Sequence, residues 1–397
     1  MKLAHKTLAL AVLAALSSTA SAEIALDVIG GSEVTFEGLI QADSNWFYRD
    51  GNALLLSGDT RDGKNSDHEL RRAEIIFKGK GPGQWEWVAG YDAKADKFLD
   101  VNVKYKFSGF TSITVGQFKQ PNSMEELTST RFNDFISKSM TTNMQAVARR
   151  TGVQVATGGD SWTLTGSIFD DELTRNLKQG NGYGGRFTWA PMHDAGNILH
   201  LGLSAVVFDA EIASSTTGAN TSNVARLNVR PNADLASQSL IDTGTLVNSD
   251  DVRTLGVEGL WVNGPFKMQA EYMTSTISRY NGRADFKGDS WYLYGVWNIS
   301  GETWSYKAGL PTTTLPEDPS KGMWQVGLRY DHADLNDGLV TGGEESNWTA
   351  GVKYYWRSNF KFALNYVMVD SEKRANTLAP LVQNNPGILE FRAQVYW

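Results

Sequence analysis

Apolar and polar residues alternate one by one along most of this chain. Val101, Val103, Tyr105 and Phe107 are interleaved with Asp100, Asn102, Lys104 and Lys106, and Trp348, Ala350, Val352, Tyr354 and Trp356 with Thr349, Gly351, Lys353 and Tyr355. A period of two puts one set on each face of an extended strand, so these segments read as strands with one apolar and one wet side. The same pattern, weaker in places, recurs near residues 34–42, 71–77, 85–93, 113–115, 151–155, 162–168, 183–189, 199–207, 255–261, 266–272, 291–299, 324–330, 362–368 and 389–397. With the two quoted segments that makes sixteen predicted strands.

An even number of such strands suits an antiparallel barrel closed within a bilayer, which each strand crosses in about 9 to 11 residues. The links point the same way. Gly81-Pro82-Gly83, Ser108-Gly109, Gly158-Gly159-Asp160, Asn263-Gly264-Pro265 and Arg357-Ser358-Asn359 are tight-turn sequences, and they tend to alternate with long polar links at 44–68, 119–145, 170–182, 209–252 and 370–388. Short turns at one rim and long loops at the other is the outer-membrane arrangement. The link 301–322, with Pro311, Pro316 and Pro319, breaks the alternation because it falls where a short turn belongs. Trp46, Trp85, Trp189, Trp261, Trp324 and Trp356 sit near strand ends, as interfacial girdles do. The last strand, Leu389 to Trp397, ends on an aromatic and resembles the terminal recognition strand of outer-membrane barrels. The predicted fold is all-β: a transmembrane antiparallel β-barrel of sixteen strands.

Residues 1–22 read as a secretory signal peptide, with Lys2 and Lys6, an apolar run from Leu8 to Leu16, and Ala20-Ser21-Ala22 at the cleavage site. The run falls short of the roughly 20 residues that a membrane-spanning helix needs. Residues 23–397 are then the barrel, exported to the bacterial outer membrane. Loss of Lys2 and Lys6 takes the formal charge from −7 to about −9, which argues against a nucleic-acid partner. The absence of cysteine removes disulfides and thiolate chemistry. Abundant glycine and aromatics beside only 10 prolines fit strands and turns, and no further long apolar run is present to form a membrane helix.

The stretch Thr114 to Lys138 stands apart. It starts as a strand that Pro121 ends, because proline cannot donate to a ladder. Lys119, Glu125, Glu126, Thr128, Ser129, Thr130, Arg131, Asp134 and Lys138 make the remainder too polar for a core, whereas Met124, Leu127, Phe132, Phe135 and Ile136 are too many apolar side chains for a free linker. Such a segment wants one face packed and one face wet. A surface loop with a short amphipathic helix and a loop folded into a water-filled pore both meet that demand.

LRRAEIIFKG at 70–79, VGQFKQPNSMEELTSTR at 115–131, GNILHLGLSAVVFD at 196–209, ARLNVRP at 225–231, VEGLWVNGPFKMQAEY at 257–272 and SGETWSYK at 300–307 succeed one another along most of the mature chain. Together they resemble the phosphate-selective porins O and P, a family of trimeric sixteen-stranded outer-membrane barrels. The resemblance implies a homotrimer in outer-membrane lipid, acting as a passive water-filled channel for small anions, with phosphate or polyphosphate as solutes and no cofactor. It also implies that the loop at about 119–145, the third on the long-loop side, folds into the lumen as a constriction.

A constriction selects by charges and donors that replace part of an ion's hydration. Ala73, Ile75 and Phe77 have lipid-side parity, which turns Arg72 and Glu74 toward the lumen and gives Arg71 lipid-side parity, although the family uses both arginines. From the loop the resemblance carries over Lys119, Arg131 and Lys138 as cations and Ser129 and Thr130 as hydroxyl donors. Arg226 and Arg230 match a basic patch on the 209–252 link, for which salt bridging within a large loop is the plainer reading. Two positions depart from the pattern: Glu126 stands where phosphate-specific members place a lysine, and Glu74 where they place a tyrosine. Lys119, Arg131 and Lys138 are matched by Glu125, Glu126 and Asp134, so the loop is formally neutral and strict phosphate preference is not expected.

A general or weakly selective porin therefore stays open, as does a secreted β-rich binding or structural protein without a pore. No enzyme and no metal site is expected. His5, His68, His193, His200 and His332 have no zinc-like spacing, and Gly180 to Gly185 lack the strand-then-helix context of a phosphate cradle.

Overall fold

The computed structural model describes residues 24–29, 32–49, 65–107, 109–174, 180–212, 223–313 and 315–397, so the predicted signal peptide lies outside the described residues. Sixteen strands, each hydrogen-bonded to the next, close into a ring: β1 (Ser32–Tyr48), β2 (Ser66–Lys80), β3 (Trp85–Asp92), β4 (Lys97–Lys106), β5 (Ser112–Lys119), β6 (Arg149–Gly158), β7 (Trp162–Phe169), β8 (Gly182–Asp194), β9 (Asn197–Asp209), β10 (Ser249–Asn263), β11 (Phe266–Arg279), β12 (Phe286–Asn298), β13 (Met323–Asp337), β14 (Val340–Trp356), β15 (Phe360–Arg374) and β16 (Gly387–Tyr396). All pairings are antiparallel, and β16 seals against β1 from Leu39 opposite Tyr396 to Tyr48 opposite Gly387. Closure leaves no unpaired edge, which is what a spanning sheet requires in hydrocarbon. Each predicted strand falls on one of these elements, and those ending at Ala93, Phe107, Ile299 and Trp397 run one residue past the observed end. A short strand, Ile24–Ile29, runs beside the start of β1.

The alternation survives as two faces. Leu201, Leu203, Leu255, Val257 and Trp261 are exposed on the outer wall, while Ile198, His200, Leu260 and Val262 on the same strands are buried inside. Aromatic rings cluster at both rims. Phe266 stacks on Trp297 with centroids 5.5 Å apart beside the short turns, and Tyr330 packs between Trp291 at 5.2 Å and Trp348 at 4.9 Å toward the long loops. The terminal Trp397 lies on Gly38, where a Cβ would come 2.1 Å from its ring, so glycine provides the seat for the last residue.

One parity reading needs correction. Between β1 and β2 the register slips, with Gln41 opposite Arg72 but Ala42 opposite Leu70. Arg71 is the extra residue of this β-bulge, and a bulge re-aims the side chain it carries. Its Nε donates to Asp234 Oδ2 at 3.0 Å in the loop region inside the barrel, so Arg71 and Arg72 both serve the lumen.

The lumen is filled on one side. The 120–148 link turns inward and packs Met124 and Phe135 against Leu260, Tyr292, Tyr294 and Val296 of the wall. Met140 joins Leu227, Val229, Ile241 and Leu246 of the 210–248 link against Ile277, Phe286 and Leu335. Ala233, Ala236 and Leu240 of the same link cover Phe47, Val367 and Ile388. Two loops thus pack against the half of the barrel bounded by β9 to β16 and β1, leaving a cavity of about 370 Å³ between Met144 to Val147 and Phe208, Thr254 and Ser275. Lys78, Asn102 and Lys104 line a cavity of about 540 Å³ near the short-turn rim.

The irregular 301–322 link acquires a place. Trp304–Lys307 and Leu310–Thr313 pair as a hairpin turned at Ala308 and Gly309, both with positive φ. The hairpin folds into the short-turn mouth, burying Trp304 completely. Tyr306 Oη lies 2.6 Å from His200 Nδ1, and Arg186 Nη2 donates to the Gly309 carbonyl at 2.8 Å. Glu258 holds both wall residues, at 2.9 Å from Arg186 Nε and 3.0 Å from His200 Nε2.

Candidate functional site

The 120–148 link is built to be both anchored and wet. Ser123 caps the short helix α1 (Met124–Leu127) by accepting from the Glu126 amide, and Ser139 caps α2 (Met140–Gln145) by accepting from the Thr142 amide. Between the caps the chain runs along the wall with its carbonyls turned outward. Lys361 Nζ donates to Arg131 O at 2.6 Å, Lys353 Nζ to Asn133 O at 3.0 Å, Arg392 Nη1 to Ile136 O at 2.6 Å and Arg329 Nη1 to Ser137 O at 2.9 Å. Four buried cations of β13 to β16 therefore serve as loop tethers. Asp134 reaches the same wall, bonded by Lys267 and by Tyr294 Oη at 2.9 Å, with Lys353 Nζ at 3.6 Å. Lys353, Arg329 and Arg392 have the parity of wall charges, yet each puts one donor on the loop backbone and pairs with an acid, Asp134, Asp331 and Asp43 respectively.

The other side of the loop and the end of β5 carry the sequence-predicted residues, of which only Ser129 is exposed. Lys119 Nζ donates to the carbonyls of Glu126 and Thr128, the latter at 3.2 Å, and sits 3.7 Å from Glu126 Oε1. Lys138 Nζ bonds the other oxygen, Glu126 Oε2. Arg131 turns to the wall and pairs with Glu37 at 2.7 Å. Ser129 is exposed and Thr130 half-buried, and neither hydroxyl has a partner among the described residues.

Across the gap stands the β2 to β6 wall. Arg72 Nη1 donates to Glu74 Oε1 at a long 3.4 Å, and its buried Nε has no hydrogen-bond partner. Arg149 forms a two-pronged pair with Asp100, Nε at 3.1 Å and Nη2 at 3.2 Å. Gly116, with φ of 123°, lets β5 approach β4 so closely that a Cβ would lie 2.3 Å from the Val101 carbonyl.

Two loop carboxylates organise these cations. Burial would raise the Glu126 carboxyl, but Lys138, Lys119 and Arg149 more than reverse that and hold it at about 2. Burial likewise opposes ionisation of Asp234, and Arg71, Arg392 and Arg72 bring it to about 2. The first carboxylate comes from the 120–148 link, the second from the 210–248 link. Arg226 and Arg230, the outer basic pair, are engaged within the latter: Arg226 grips Asp242 through both prongs, and Arg230 Nη1 donates to the Asp234 carbonyl at 2.8 Å.

The structure thus brings Arg71, Arg72, Lys119 and Lys138 to the gap beside the loop. It leaves Arg226 and Arg230 on the surface of the covering link. Arg149, Asp100, Glu37 and Asp234 complete the site and were not singled out from the sequence. A signal existed for one of them: Arg149-Arg150 is a basic pair at a strand entry, like Arg71-Arg72. Asp234 carries no such mark.

The family model described as Phosphate-selective porin O and P matches residues 40–397. Porin O of Pseudomonas aeruginosa is 26% identical over 414 residues, covering 90% of this chain and 90% of that protein. An uncharacterized protein of Caulobacter vibrioides is 29% identical over 320 residues, which span 76% of this chain and 62% of that longer relative. Among solved structures, OmpT, an outer membrane protein of Vibrio cholerae, superposes with a TM-score of 0.59 at 12% identity, covering 94% of this chain and 99% of that one. Its trimer form superposes with a TM-score of 0.57 at 12% identity, over 92% of this chain and 100% of that one. At such identities the structural likeness speaks for the fold alone.

Proposed function

The chain belongs to the phosphate-selective porin O and P family, and from that premise we propose that its pore carries small anions, phosphate among them, with a modest rather than strict preference over cations. It is an outer-membrane porin, a closed barrel whose lumen is narrowed by its own loops. One observation carries the selectivity reading. At the gap between loop and near wall stand six cations, Arg71, Arg72, Lys119, Arg131, Lys138 and Arg149, against five acids, Glu37, Glu74, Asp100, Glu126 and Asp234. An excess of about one charge favours anions, but charges already paired at contact distance present an ion with dipoles more than with bare cations. The exposed Ser129 hydroxyl adds an uncharged donor that can replace one water of an anion's shell.

The measurement is the reversal potential of single channels in a potassium chloride gradient, with phosphate titration as the second step. Anion preference with weak phosphate block supports the reading. Cation preference, or none, refutes it.

We also propose a homotrimer. The wall of β3 to β7 is low, with strands of 8 to 10 residues, whereas β10 to β15 run 13 to 17. A low wall exposing Val115, Val155, Leu164 and Ile168 suits contact with further copies better than contact with a full bilayer. Light scattering of the detergent-purified protein decides: a mass of one protomer after correction for detergent overturns the trimer.

A further inference from the structure

The position of Glu126 goes beyond a lost positive charge in the loop. Its two carboxylate oxygens are divided between two ammonium groups, Oε2 on Lys138 and Oε1 at 3.7 Å from Lys119. All three side chains are almost buried, with exposures of 10% for Glu126, 13% for Lys138 and 12% for Lys119. A carboxylate bridging two lysines in a nearly dry setting is the arrangement that a bound oxyanion would adopt. The two lysines are not equivalent. Lys119 is also held by the carbonyls of Glu126 and Thr128, so its position does not depend on the carboxylate. Lys138 Nζ bonds Glu126 and, among the described residues, nothing else.

We propose that Lys119 and Lys138 form an oxyanion site that Glu126 occupies as an internal ligand, so that a passing oxyanion must compete with a tethered carboxylate. The inference rests on the anion-channel reading above and deepens it. A carboxylate fixed on the same loop acts at a high effective concentration, well above that of a dissolved competitor. The site therefore passes oxyanions without retaining them. Its chemistry favours a dianion such as hydrogen phosphate or sulfate, because two ammonium groups face one bridging ligand. Neutralising the internal ligand turns a site of transit into a site of retention.

Single-channel recording in potassium chloride with added inorganic phosphate tests this on three forms of the full-length protein. In Glu126→Gln the tether keeps its shape and loses its charge, and the phosphate concentration that halves chloride current should fall about tenfold. Glu126→Gln combined with Lys138→Met should return the block toward the wild-type value, because the freed ammonium is gone. Glu126→Asp keeps the charge on an arm one methylene shorter that no longer spans both lysines. It should tighten block by about threefold, and it decides the matter if the glutamine variant does not insert. Sulfate should behave as phosphate does in each form. Block unchanged in Glu126→Gln, or in Glu126→Asp where only that variant inserts, overturns the internal-ligand proposal. So does tight block persisting without Lys138. Loss of anion preference in the wild-type chloride gradient refutes the anion-channel reading instead, so the two failures are separable.

Discussion

Asp134→Asn isolates what keeps the constriction loop folded inward. The substitution preserves shape and removes one charge, yet it affects two wall lysines at once. Lys267 and Lys353 are exposed by only 3% and 4%, and Asp134 is the acid that both of them pair with. Removing one partner of a buried ion pair costs about 3–5 kcal/mol, because the other charge stays buried without compensation. Two residues soften the loss here. Lys353 keeps the Asn133 carbonyl at 3.0 Å, and Lys267 keeps the rings of Tyr294 and Trp304 at 5.4 and 5.1 Å, a cation–π arrangement of about 0.5–2 kcal/mol. The lower bound of about 3 kcal/mol is the appropriate figure, and it shifts the ratio of docked to released loop by about a hundredfold.

Released loop should appear as flicker and larger open-channel current in single-channel records, and as tryptic cleavage after Arg131 or Lys138 in the folded barrel. pH gives a second handle. Burial raises the Asp134 carboxyl, and Lys267 and Lys353 more than offset this, so it lies at about 2 against an ordinary 3.8. A depressed value means that the carboxylate's contribution to docking is fully present above pH 3.8 and is lost as pH falls toward 2. Wild-type records should therefore be quiet at neutral pH and begin to flicker only in that acid window, whereas Asp134→Asn should flicker throughout. Identical noise, conductance and cleavage in the variant at neutral pH would show that Met124, Phe135 and the carbonyl tethers hold the loop without the carboxylate.

Three further outcomes are expected. Arg72→Ala removes the cation that puts the gap one charge above neutrality, so the reversal potential in a salt gradient should move to near zero while the trimer survives detergent unchanged; an unaltered potential removes Arg72 from the selectivity machinery. Arg186→Met breaks the bond to the Gly309 carbonyl and should unpin the hairpin at the short-turn mouth, which raises conductance; no rise means that buried Trp304 suffices to hold it. Gly38→Ala drives a Cβ into the Trp397 ring, an overpacking worth about 1–3 kcal/mol, and should lower the temperature at which the fast-migrating unboiled form disappears on a gel. An unshifted temperature would mean that the terminal tryptophan is not seated there in the membrane.

How much of the fold is legible in the sequence depends on what periodicity can carry. A spanning strand must turn an apolar side to lipid at every second residue, and the constraint acts on each strand separately. Tyr105 and Phe107, or Trp348 to Trp356, therefore announce themselves from local sequence. Count and closure come from the even number and the aromatic terminus. What parity cannot see is an inserted residue. Arg71 reads as lipid-facing by strict alternation, and a single bulge opposite Gln41 and Ala42 returns it to the lumen. The family resemblance used both arginines, which was a signal of the bulge that alternation alone could not supply. The proline-bearing 301–322 link failed the short-turn rule for a related reason. Its partners, Arg186, His200 and Glu258, lie on strands more than forty positions upstream, and nothing local ties Tyr306 to them.

The charges of the constriction were legible as an inventory and illegible as pairs. Counting gave a loop of three cations against three acids, and that neutrality suggested that any acid would discount any cation. The structure divides them by destination. Asp134 leaves the aqueous side and is shared by Lys267 and Lys353 of the wall, and Glu125 accepts from Ser139 at the base of α2. Of the three acids only Glu126 remains beside Lys119 and Lys138, while Arg131 is taken by Glu37 of β1 and the 210–248 link contributes Asp234, which lies far outside the loop that was counted. Coulomb energy falls with distance and with hydration, so a formal sum over neighbours in sequence has little bearing on selectivity once half of the charges are buried in the wall. The quantity that matters is which carboxylate shares water with which cation. In this barrel Glu126 and Asp234, from two different loops, are each held ionised by three cations, and the permeation properties should respond to them far more than to Glu125 or Asp134 at equal loop occupancy.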